Sequence, residues 1–231
     1  MGRDLSSVYI GNIGICTPLG LNPEEVWEGI LQGKSSLSAQ EKYGQEEEDL
    51  ILARFNEKQN NQLKTFHSNP FYGSILSVFD QTLSKKDKLE DGNILVLFST
   101  TKGNIHQPNS TYGGFDTIKE IISQKLGGEP DFMFVSTACT SGVSAMIMAH
   151  DFIQVGKYDH VLVIGADQVS KFTTFGFQSF FALSDEICRP YDKNRKGINL
   201  GEGAASVLIS SNLKMFEGEI YKSLGGATAN D

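Results

Sequence analysis

Short, uninterrupted apolar runs with turn residues at their ends constrain the fold of this chain more than any other feature. Residues 93–98, 131–135 and 161–164 form three such runs, each of them too short for an ordinary helix. Segments with apolar residues at helical spacing lie between them. A strand that is apolar throughout needs cover on both faces. The alternation therefore predicts an α/β protein whose sheet is covered by helices.

Further segments extend this α/β pattern. Strands are also predicted over residues 8–13, 204–209 and 220–224, and helices over residues 23–32, 66–83 (after Pro70) and 115–126. The polar stretch 40–49 contains an acidic run and is typical of a solvated loop. No internal repeat and no low-complexity linker divides the sequence. The pattern therefore predicts one continuous domain.

Cys139 lies between the apolar run 131–135 and a segment with helical spacing. Small residues on both sides of it allow a sharp turn and the approach of a substrate to the sulfur. A thiol at a helix N-terminus lies near the positive end of the helix dipole, which stabilises a thiolate. The position therefore suits a nucleophile, although a buried and inert free cysteine is the commoner explanation of such a pattern taken alone.

Three separate motifs agree with a nucleophilic role for Cys139. They are GNIGICTPLG (residues 11–20) with EVW (25–27) and GKS (33–35), then TACTSG (137–142), and finally ALS (182–184) and RPYD (189–192) followed by Gly197 and GEGAA (201–205). In this order and spacing the motifs resemble those of the β-ketoacyl-acyl-carrier-protein synthases, the condensing enzymes of fatty-acid and polyketide synthesis. The resemblance begins near Val8 and is weakest between residues 34 and 93.

The resemblance implies a thiolase-like layered α/β fold, of which residues 1–231 form the N-terminal half as one domain. Family members are about twice as long and contain two similar halves, and residues 225–231 resemble the start of the second half. The family's two catalytic histidines belong to that second half. The four histidines of this chain match none of the family's motifs; they are His67, His106, His150 and His160. We therefore expect a half that carries the nucleophile without its histidine partners.

The resemblance also implies the chemistry. Cys139 is the expected catalytic nucleophile: it attacks an acyl thioester, with its own backbone N–H as one oxyanion donor. A malonyl-type extender then loses carbon dioxide and is acylated, and no metal or organic cofactor is required. The expected substrate-binding residues near the sulfur are Ala138, Phe175, Phe177, Phe180 and Phe181. Core packing explains the four aromatic side chains equally well.

The partners implied by the resemblance are an acyl carrier protein and a second copy of the chain, which pairs through the strand at residues 161–164. Carrier proteins are acidic and the net charge here is −8, so docking requires a local basic patch. The candidate contributors, each of which also fits an ordinary solvated residue, are Lys58, Lys64, Lys193, Arg195 and Lys196. Phe181 stands where carrier-docking members often have an arginine, which weakens this prediction or moves the patch elsewhere.

Composition argues against several other classes of protein. A net charge of −8 disfavours a nucleic-acid partner. No apolar run approaches the length that spans a bilayer, and the N-terminus has no signal-peptide pattern. Three widely spaced cysteines argue for a reducing cytoplasm, and no Cys or His spacing suits a metal. Gly201 and Gly203 precede a strand instead of opening a helix, which disfavours a dinucleotide site.

Two alternatives stay open at the level of sequence. In the first, the chain is half of a condensing enzyme and works only beside a complementary chain or as a non-catalytic scaffold. The retained Cys139 argues against the scaffold. Alternatively, it is a related thiolase or an initiation-type condensing enzyme, which shares the fold and the cysteine. RPYD at 189–192, followed by GEGA at 201–204, favours the ketosynthase branch.

Overall fold

The computed structural model describes residues 6–83, 92–105 and 114–229. Within these ranges the chain forms a six-stranded sheet, a three-stranded sheet and six α-helices. The strands are β1 (Val8–Cys16), β2 (Leu37–Gln40), β3 (Leu50–Ala53), β4 (Ile94–Ser99), β5 (Asp131–Val135), β6 (His160–Asp167), β7 (Leu200–Gly201), β8 (Gly203–Ser210) and β9 (Tyr221–Ser223). The helices are α1 (Pro23–Leu31), α2 (Glu57–Leu63), α3 (Pro70–Thr82), α4 (Phe115–Leu126), α5 (Ser141–Gln154) and α6 (Lys171–Ser179).

The six-stranded sheet brings several strand ends together at one edge. Its strand order is β5-β4-β6-β8-β1-β9. β4 is parallel to β5 and β6, whereas β8 is antiparallel to both β6 and β1. β1 therefore runs in the same direction as β4, β5 and β6. The carboxyl ends of these four strands and the start of β8 therefore lie along the same side of the sheet. This side, where strands end, is the sheet edge of the site and is distinct from the edge strands β5 and β9.

Alternate residues of the central strands fill two hydrophobic clusters, one on each face of the sheet. Val96 and Phe98 of β4 pack with apolar side chains of α3 and α4. Leu95 and Leu97 of the same strand pack on the other face with Ala145 of α5. Each of these β4 side chains is completely buried, which stabilises the fold by about 1.5–3 kcal/mol per side chain. The predicted α/β sheet covered by helices is confirmed.

Capping signals in the sequence fix where two helices begin. α1 starts at Pro23, and the side chain of Asn22 accepts a hydrogen bond from the Glu25 N–H at 2.9 Å. α3 starts at Pro70, and Asn69 caps it in a similar way. Proline suits the first helical position because its φ is already helical and the N–H that it lacks has no partner there. Both predicted helices are confirmed, with slightly earlier C-terminal ends.

The small sheet was not predicted from the sequence. β2 and β3 pair as a hairpin, and β7 adds to β3 in parallel. These strands are short, and Leu52 is the buried residue of β3, so they leave no periodic apolar signal. The predicted solvated loop over 40–49 connects β2 to β3 and is mostly exposed. This loop also contacts α6: Gln45 and Glu48 both hydrogen-bond to the side chain of Gln178.

Two predictions about strands need correction. The strand at residues 161–164, expected to pair across a dimer, belongs to β6, which lies inside the sheet between β4 and β8 and has no free edge. The strand at 131–135, expected to be buried, is the edge strand β5, where Met133 and Phe134 are 37% and 38% exposed. An apolar run predicts a strand but not its position in the sheet, because strand order depends on pairing between distant segments.

Candidate active site

Cys139 lies on the turn between β5 and α5, at the edge where the parallel strands end, and it is exposed. The residue before it, Ala138, has a φ of 51°, in the left-handed region. This conformation costs a residue with a side chain about 1–2 kcal/mol. The turn is therefore a strained one that persists because the surrounding structure holds it, and it presents the cysteine side chain to solvent.

Hydroxyl groups next to the cysteine hold this turn. The Ser141 hydroxyl accepts a hydrogen bond from the Thr137 N–H at 2.9 Å and donates one to the Ala138 carbonyl at 2.6 Å. The Thr140 hydroxyl donates to the Thr137 carbonyl at 2.7 Å, and the hydroxyls of Thr137 and Ser144 are 3.0 Å apart. Each such bond contributes about 1 kcal/mol, enough in combination to offset the strain at Ala138.

The start of α5 creates a favourable place for negative charge beside Cys139. The carbonyl of Thr140, the N-cap, accepts the first intrahelical hydrogen bond from the Ser144 N–H at 2.9 Å. The N–H groups of a first helical turn lack intrahelical acceptors and carry the positive end of the helix dipole. An anion that develops next to Cys139, such as the oxyanion of a tetrahedral intermediate, therefore lies at the favourable end of this helix.

A cavity of about 310 Å³ opens beside Cys139, within the size range of small-molecule sites. Small residues at the end of β6 and the start of β8 form much of its wall; they are Gly165, Ala166, Gly203, Ala204 and Ala205. Ile15, Thr17, Ser99 and Thr101 complete it from β1 and β4. Because these side chains are short, an acyl group bound to the sulfur has room to lie along the sheet edge.

Ala138 is the one expected substrate-binding residue that lines this cavity. Phe175 and Phe177 are half-buried on α6, whereas Phe180 and Phe181 follow its end and are 82% and 93% exposed. Phe181 instead lines a separate groove of about 500 Å³ beside the loop between β2 and β3. Core packing, the alternative explanation for the aromatic residues, does not apply to Phe180 and Phe181, because both side chains face solvent.

Sequence reasoning missed an ion pair at the same sheet edge. Asp167 ends β6 and lines the cavity, and its Oδ1 is 3.0 Å from the Nζ of Lys102, which follows β4. The same carboxylate accepts hydrogen bonds from the Thr100 and Thr101 hydroxyls at 3.1 and 2.7 Å. The sequence contained a usable signal: polar residues directly follow two buried runs, and parallel strands place such residues at one edge.

The described histidines lie away from the cavity. His67 Nδ1 accepts a hydrogen bond from the backbone two residues further on, at 3.0 Å. His150 and His160 are buried, each with Nδ1 2.8 Å from a serine hydroxyl. His106 lies outside the described residues. The three described histidines therefore form hydrogen bonds within the fold, and none of them lines the cavity beside the Cys139 sulfur.

Among residues 6–83, 92–105 and 114–229, no group of three or more His, Cys, Asp or Glu side chains is arranged to hold a metal ion. No helix among the same residues is long and apolar enough to cross a membrane.

The other two cysteines are less accessible than Cys139. Cys16 is buried in β1, and its burial, together with the nearby charge of Glu25, raises the pKa of its thiol to about 12. Cys188 is half-buried. Cys16 is therefore protonated at neutral pH and shielded from solvent, which makes Cys139 the candidate nucleophile on grounds of access.

Comparison with known proteins identifies the family. Residues 90–214 match the model of the beta-ketoacyl synthase N-terminal domain. The chain is 25% identical over 251 aligned positions to a putative mitochondrial 3-oxoacyl-[acyl-carrier-protein] synthase of Schizosaccharomyces pombe, covering 89% of this chain and 58% of that protein. It is 33% identical to nodulation protein E of Rhizobium meliloti over 91 residues, which are 39% of this chain and 23% of that protein.

Solved structures show the same fold. A ketosynthase from Xenorhabdus doucetiae, in complex with its chain length factor, superposes with a TM-score of 0.75 at 20% identity, covering 90% of this chain and 58% of that one. A ketosynthase from the bacillaene synthase of Bacillus subtilis gives a TM-score of 0.73 at 15% identity, covering 90% of this chain and 40% of that one. The thiolase-like α/β fold is confirmed.

This chain belongs to the beta-ketoacyl synthase family through its N-terminal domain. The predicted resemblance is thereby confirmed. The chain spans 58% of the length of the S. pombe relative and 58% of the X. doucetiae ketosynthase.

Proposed function

We propose that this chain is the nucleophile-bearing domain of a ketosynthase and that Cys139 accepts the acyl group. One observation carries the proposal: Cys139 is exposed on a strained turn, beside a cavity at the carboxyl ends of the parallel strands. Binding and catalytic groups of open α/β sheets collect at such an edge. Family membership supplies the reaction class, and the geometry supplies a thiol that a substrate can reach.

In the first step, the Cys139 sulfur attacks the carbonyl carbon of an acyl-phosphopantetheine thioester. The new carbon–sulfur bond forms, and the bond to the pantetheine sulfur breaks. The proton lost by Cys139 leaves with the released pantetheine thiol, so that the step is balanced. The negative charge on the carbonyl oxygen of the intermediate is stabilised by the N–H groups at the start of α5 and by that of Cys139 itself.

In the second step, a malonyl-type extender loses carbon dioxide, and the resulting carbanion attacks the acyl group on Cys139. The carbon–carbon bond forms as the thioester bond breaks, which releases a β-ketoacyl chain longer by two carbons and the Cys139 thiolate, which takes a proton from solvent. The three described histidines lie away from the cavity. We therefore assign the stabilisation of this carbanion to the part of the relatives' length that this chain does not span.

Ala138 is the residue that we propose contacts the acyl group, because it lines the cavity next to Cys139. Contact with the four phenylalanines remains a prediction. It requires an acyl chain long enough to extend from the cavity toward α6.

An acyl carrier protein is the proposed donor of the acyl group. A related ketosynthase has been solved in complex with its acyl-carrier protein, at a TM-score of 0.69 to this chain. The five candidate docking residues are all exposed: Lys58 on α2, Lys64 directly after that helix, and three between α6 and β7. Lys196 is partly neutralised by Asp185, 3.8 Å away. The better candidates are therefore Lys58, Lys64, Lys193 and Arg195.

A homodimer is the proposed assembly, with β5 as the pairing strand in place of residues 161–164. β5 is an edge of the six-stranded sheet, and the exposed Met133 and Phe134 make it apolar. An exposed apolar edge strand is a template for pairing with another strand. Cytoplasmic location is the matching proposal, since the three cysteines are free thiols.

A second candidate function is that of a half that acts beside a complementary chain. An apolar patch favours it: Trp27, Ile30 and Leu31 of α1, with Ile13 of β1, are each more than half exposed. Ile13, Trp27 and Ile30 line a groove of about 430 Å³. Contiguous exposed apolar surface of this kind marks an interaction site.

Intact-protein mass spectrometry tests the main proposal. The chain is incubated with the acetyl thioester of N-acetylcysteamine, which mimics the end of the pantetheine arm. We expect one acetyl adduct that Cys139→Ala abolishes and Cys188→Ala retains. An adduct that survives in Cys139→Ala contradicts the proposal. If neither wild type nor Cys188→Ala forms an adduct while iodoacetamide still labels Cys139, acyl transfer requires the complementary chain, as in the second candidate function.

A further inference from the structure

The cavity beside Cys139 has one charged residue among those that line it, Asp167. Every other described lining residue is apolar, glycine, serine, threonine or the cysteine itself. The Asp167 side chain is 34% exposed. Whatever group lies next to the Cys139 sulfur therefore lies in the same small volume as a carboxylate.

The two oxygens of this carboxylate are used unequally. Oδ1 accepts hydrogen bonds from the Thr100 hydroxyl, the Thr101 hydroxyl and N–H, and the Lys102 Nζ, at 2.7–3.1 Å. Oδ2 accepts one bond among the described residues: the Thr101 N–H, at 3.1 Å, which it shares with Oδ1. An ionised carboxylate oxygen accommodates about two donors. Oδ2 therefore has room for a donor that the described residues do not supply.

Lys102 forms an ion pair with the Oδ1 atom of this carboxylate. Its side chain is 7% exposed, and its Nζ donates to Asp167 Oδ1 and to the Thr101 hydroxyl at 3.0 and 3.2 Å. A buried lysine is unfavourable unless it is paired, and breaking such a pair is strongly destabilising. Together with the two threonines, Lys102 fixes the orientation of Asp167, so that Oδ2 is a preorganised acceptor.

We propose that Asp167 Oδ2 accepts a hydrogen bond from the amide N–H of the pantetheine arm that delivers the acyl group. This inference rests on the proposed function. In an acyl-pantetheine, the amide N–H is two methylene groups from the thioester sulfur. When the thioester carbon meets the Cys139 sulfur, this N–H lies within the dimensions of the cavity. The carboxylate thus selects amide-bearing thioesters over simple alkyl thioesters.

The test compares two acetyl thioesters that differ in one group. The first is S-acetyl-N-acetylcysteamine, and the second has an ester oxygen in place of the amide N–H. A hydrogen bond to a charged group changes the rate by about tenfold to a hundredfold. We expect Cys139 to be acetylated faster by the amide probe, by a factor in this range. Equal rates with the two probes would overturn the inference and leave the proposed function intact.

A second probe pair separates the inference from acyl transfer. Bromomethyl ketones with a methylene in place of the thioester sulfur alkylate Cys139 directly: the sulfur–carbon bond forms, bromide leaves, and the thiol proton passes to solvent. If the thioesters fail to react, the proposed function fails for this chain alone. Faster alkylation by the amide-bearing ketone still supports the role of Asp167, and equal rates with the two ketones overturn it.

Paired variants guard against misfolding. Asp167→Ala on its own leaves Lys102 buried and unpaired, so the variant to use is the double Asp167→Ala, Lys102→Met. We expect it to react equally with both probes. Lys102→Met is the matched control: Asp167 is 34% exposed, so its carboxylate stays solvated without the ion pair, and the Thr100 and Thr101 donors still orient it, so we expect this variant to retain the preference for the amide. An amide preference that persists in the double variant contradicts the inference.

Discussion

At the scale of single residues, Ala138 shows backbone strain directly before the candidate nucleophile, Cys139. Its φ of 51° is unfavourable for a residue with a side chain, and the hydrogen bonds of Ser141 hold it there. A β-branched residue fits this conformation worse than alanine does, whereas glycine adopts it freely.

Ala138→Val is therefore expected to lower the free energy of unfolding by about 1–3 kcal/mol, through backbone strain. It also displaces Cys139, so acylation slows as well. Urea unfolding and the acyl-adduct assay measure the two effects. Ala138→Gly is the control and should unfold at or near the wild-type urea concentration. A valine variant as stable as wild type would show that the turn is not strained.

His160 couples stability to pH. Its burial lowers the pKa of the imidazole, and this outweighs the opposing effect of the Asp159 charge. The unfolded chain therefore binds a proton at a higher pH than the folded chain does. The stability contributed by neutral His160 is complete above the usual histidine pKa of about 6.5 and is lost as the pH falls through the lower folded value.

We expect the free energy of unfolding to fall from pH 7 to pH 5, and to fall less steeply in His160→Gln. Glutamine keeps a partner for the Ser210 hydroxyl, which lies 2.8 Å from His160 Nδ1, but does not titrate. Urea denaturation at several pH values gives the two slopes. Parallel slopes in the two proteins would assign the pH dependence to other groups.

At the scale of secondary-structure elements, α3 packs closely against β1. A Cβ added at Gly14 would lie 2.3 Å from the Val78 carbonyl oxygen and 2.7 Å from the Ser206 hydroxyl. The Ser206 hydroxyl donates to that carbonyl at 2.7 Å and also hydrogen-bonds to Thr82. The atom nearest to the added Cβ is thus a backbone oxygen of α3, which can move aside only if the helix moves.

Gly14→Ala is expected to destabilise the protein by about 2 kcal/mol or more, because it separates α3 from β1. Thermal or urea unfolding measures the loss. Gly128→Ala is the matched control: a Cβ there meets no atom within 4 Å, and its effect should stay within about 0.5 kcal/mol. If the two variants are equally stable, the approach of α3 to β1 is looser than the structure shows.

At the scale of the whole molecule, two of the exposed apolar surfaces suit protein partners: the β5 edge and the α1 patch formed by Ile13, Trp27, Ile30 and Leu31. The β5 edge offers backbone hydrogen bonds to another strand, and the α1 patch offers side chains alone. The two surfaces therefore suit different partners. We assign β5 to a second copy of the chain and the α1 patch to a complementary domain or chain.

Met133→Lys is expected to weaken self-association, because a charge on an edge strand opposes strand pairing. Light scattering over a range of protein concentrations should show a dimer for wild type and a shift towards monomer for the variant. Leu213→Lys places the same charge on an exposed leucine after β8 and should leave the dimer intact. A wild-type protein that is monomeric at every concentration would contradict the proposed homodimer.

Local chemistry made much of the fold predictable. Pro23 and Pro70 fixed helix starts, and the apolar runs predicted the main strands within a few residues. The hairpin of β2 and β3 was missed because its strands are four residues each and mostly half-exposed. For the site, the motif around Cys139 was sufficient to nominate the nucleophile, since its small residues and turn are properties of consecutive positions.

Tertiary structure alone decided what surrounds that nucleophile. Strand order made β5 the edge and placed β6 inside the sheet, the reverse of the sequence-based expectation. It also brought Asp167 to the Cys139 cavity and paired it with Lys102, 65 positions away in the sequence, while the phenylalanines of α6 lie outside the cavity. The sequence by itself determined the family, most of the elements and the candidate nucleophile, because these depend on neighbours in the chain. Strand pairing and packing determined the walls of the site, because those residues meet only when distant segments come together.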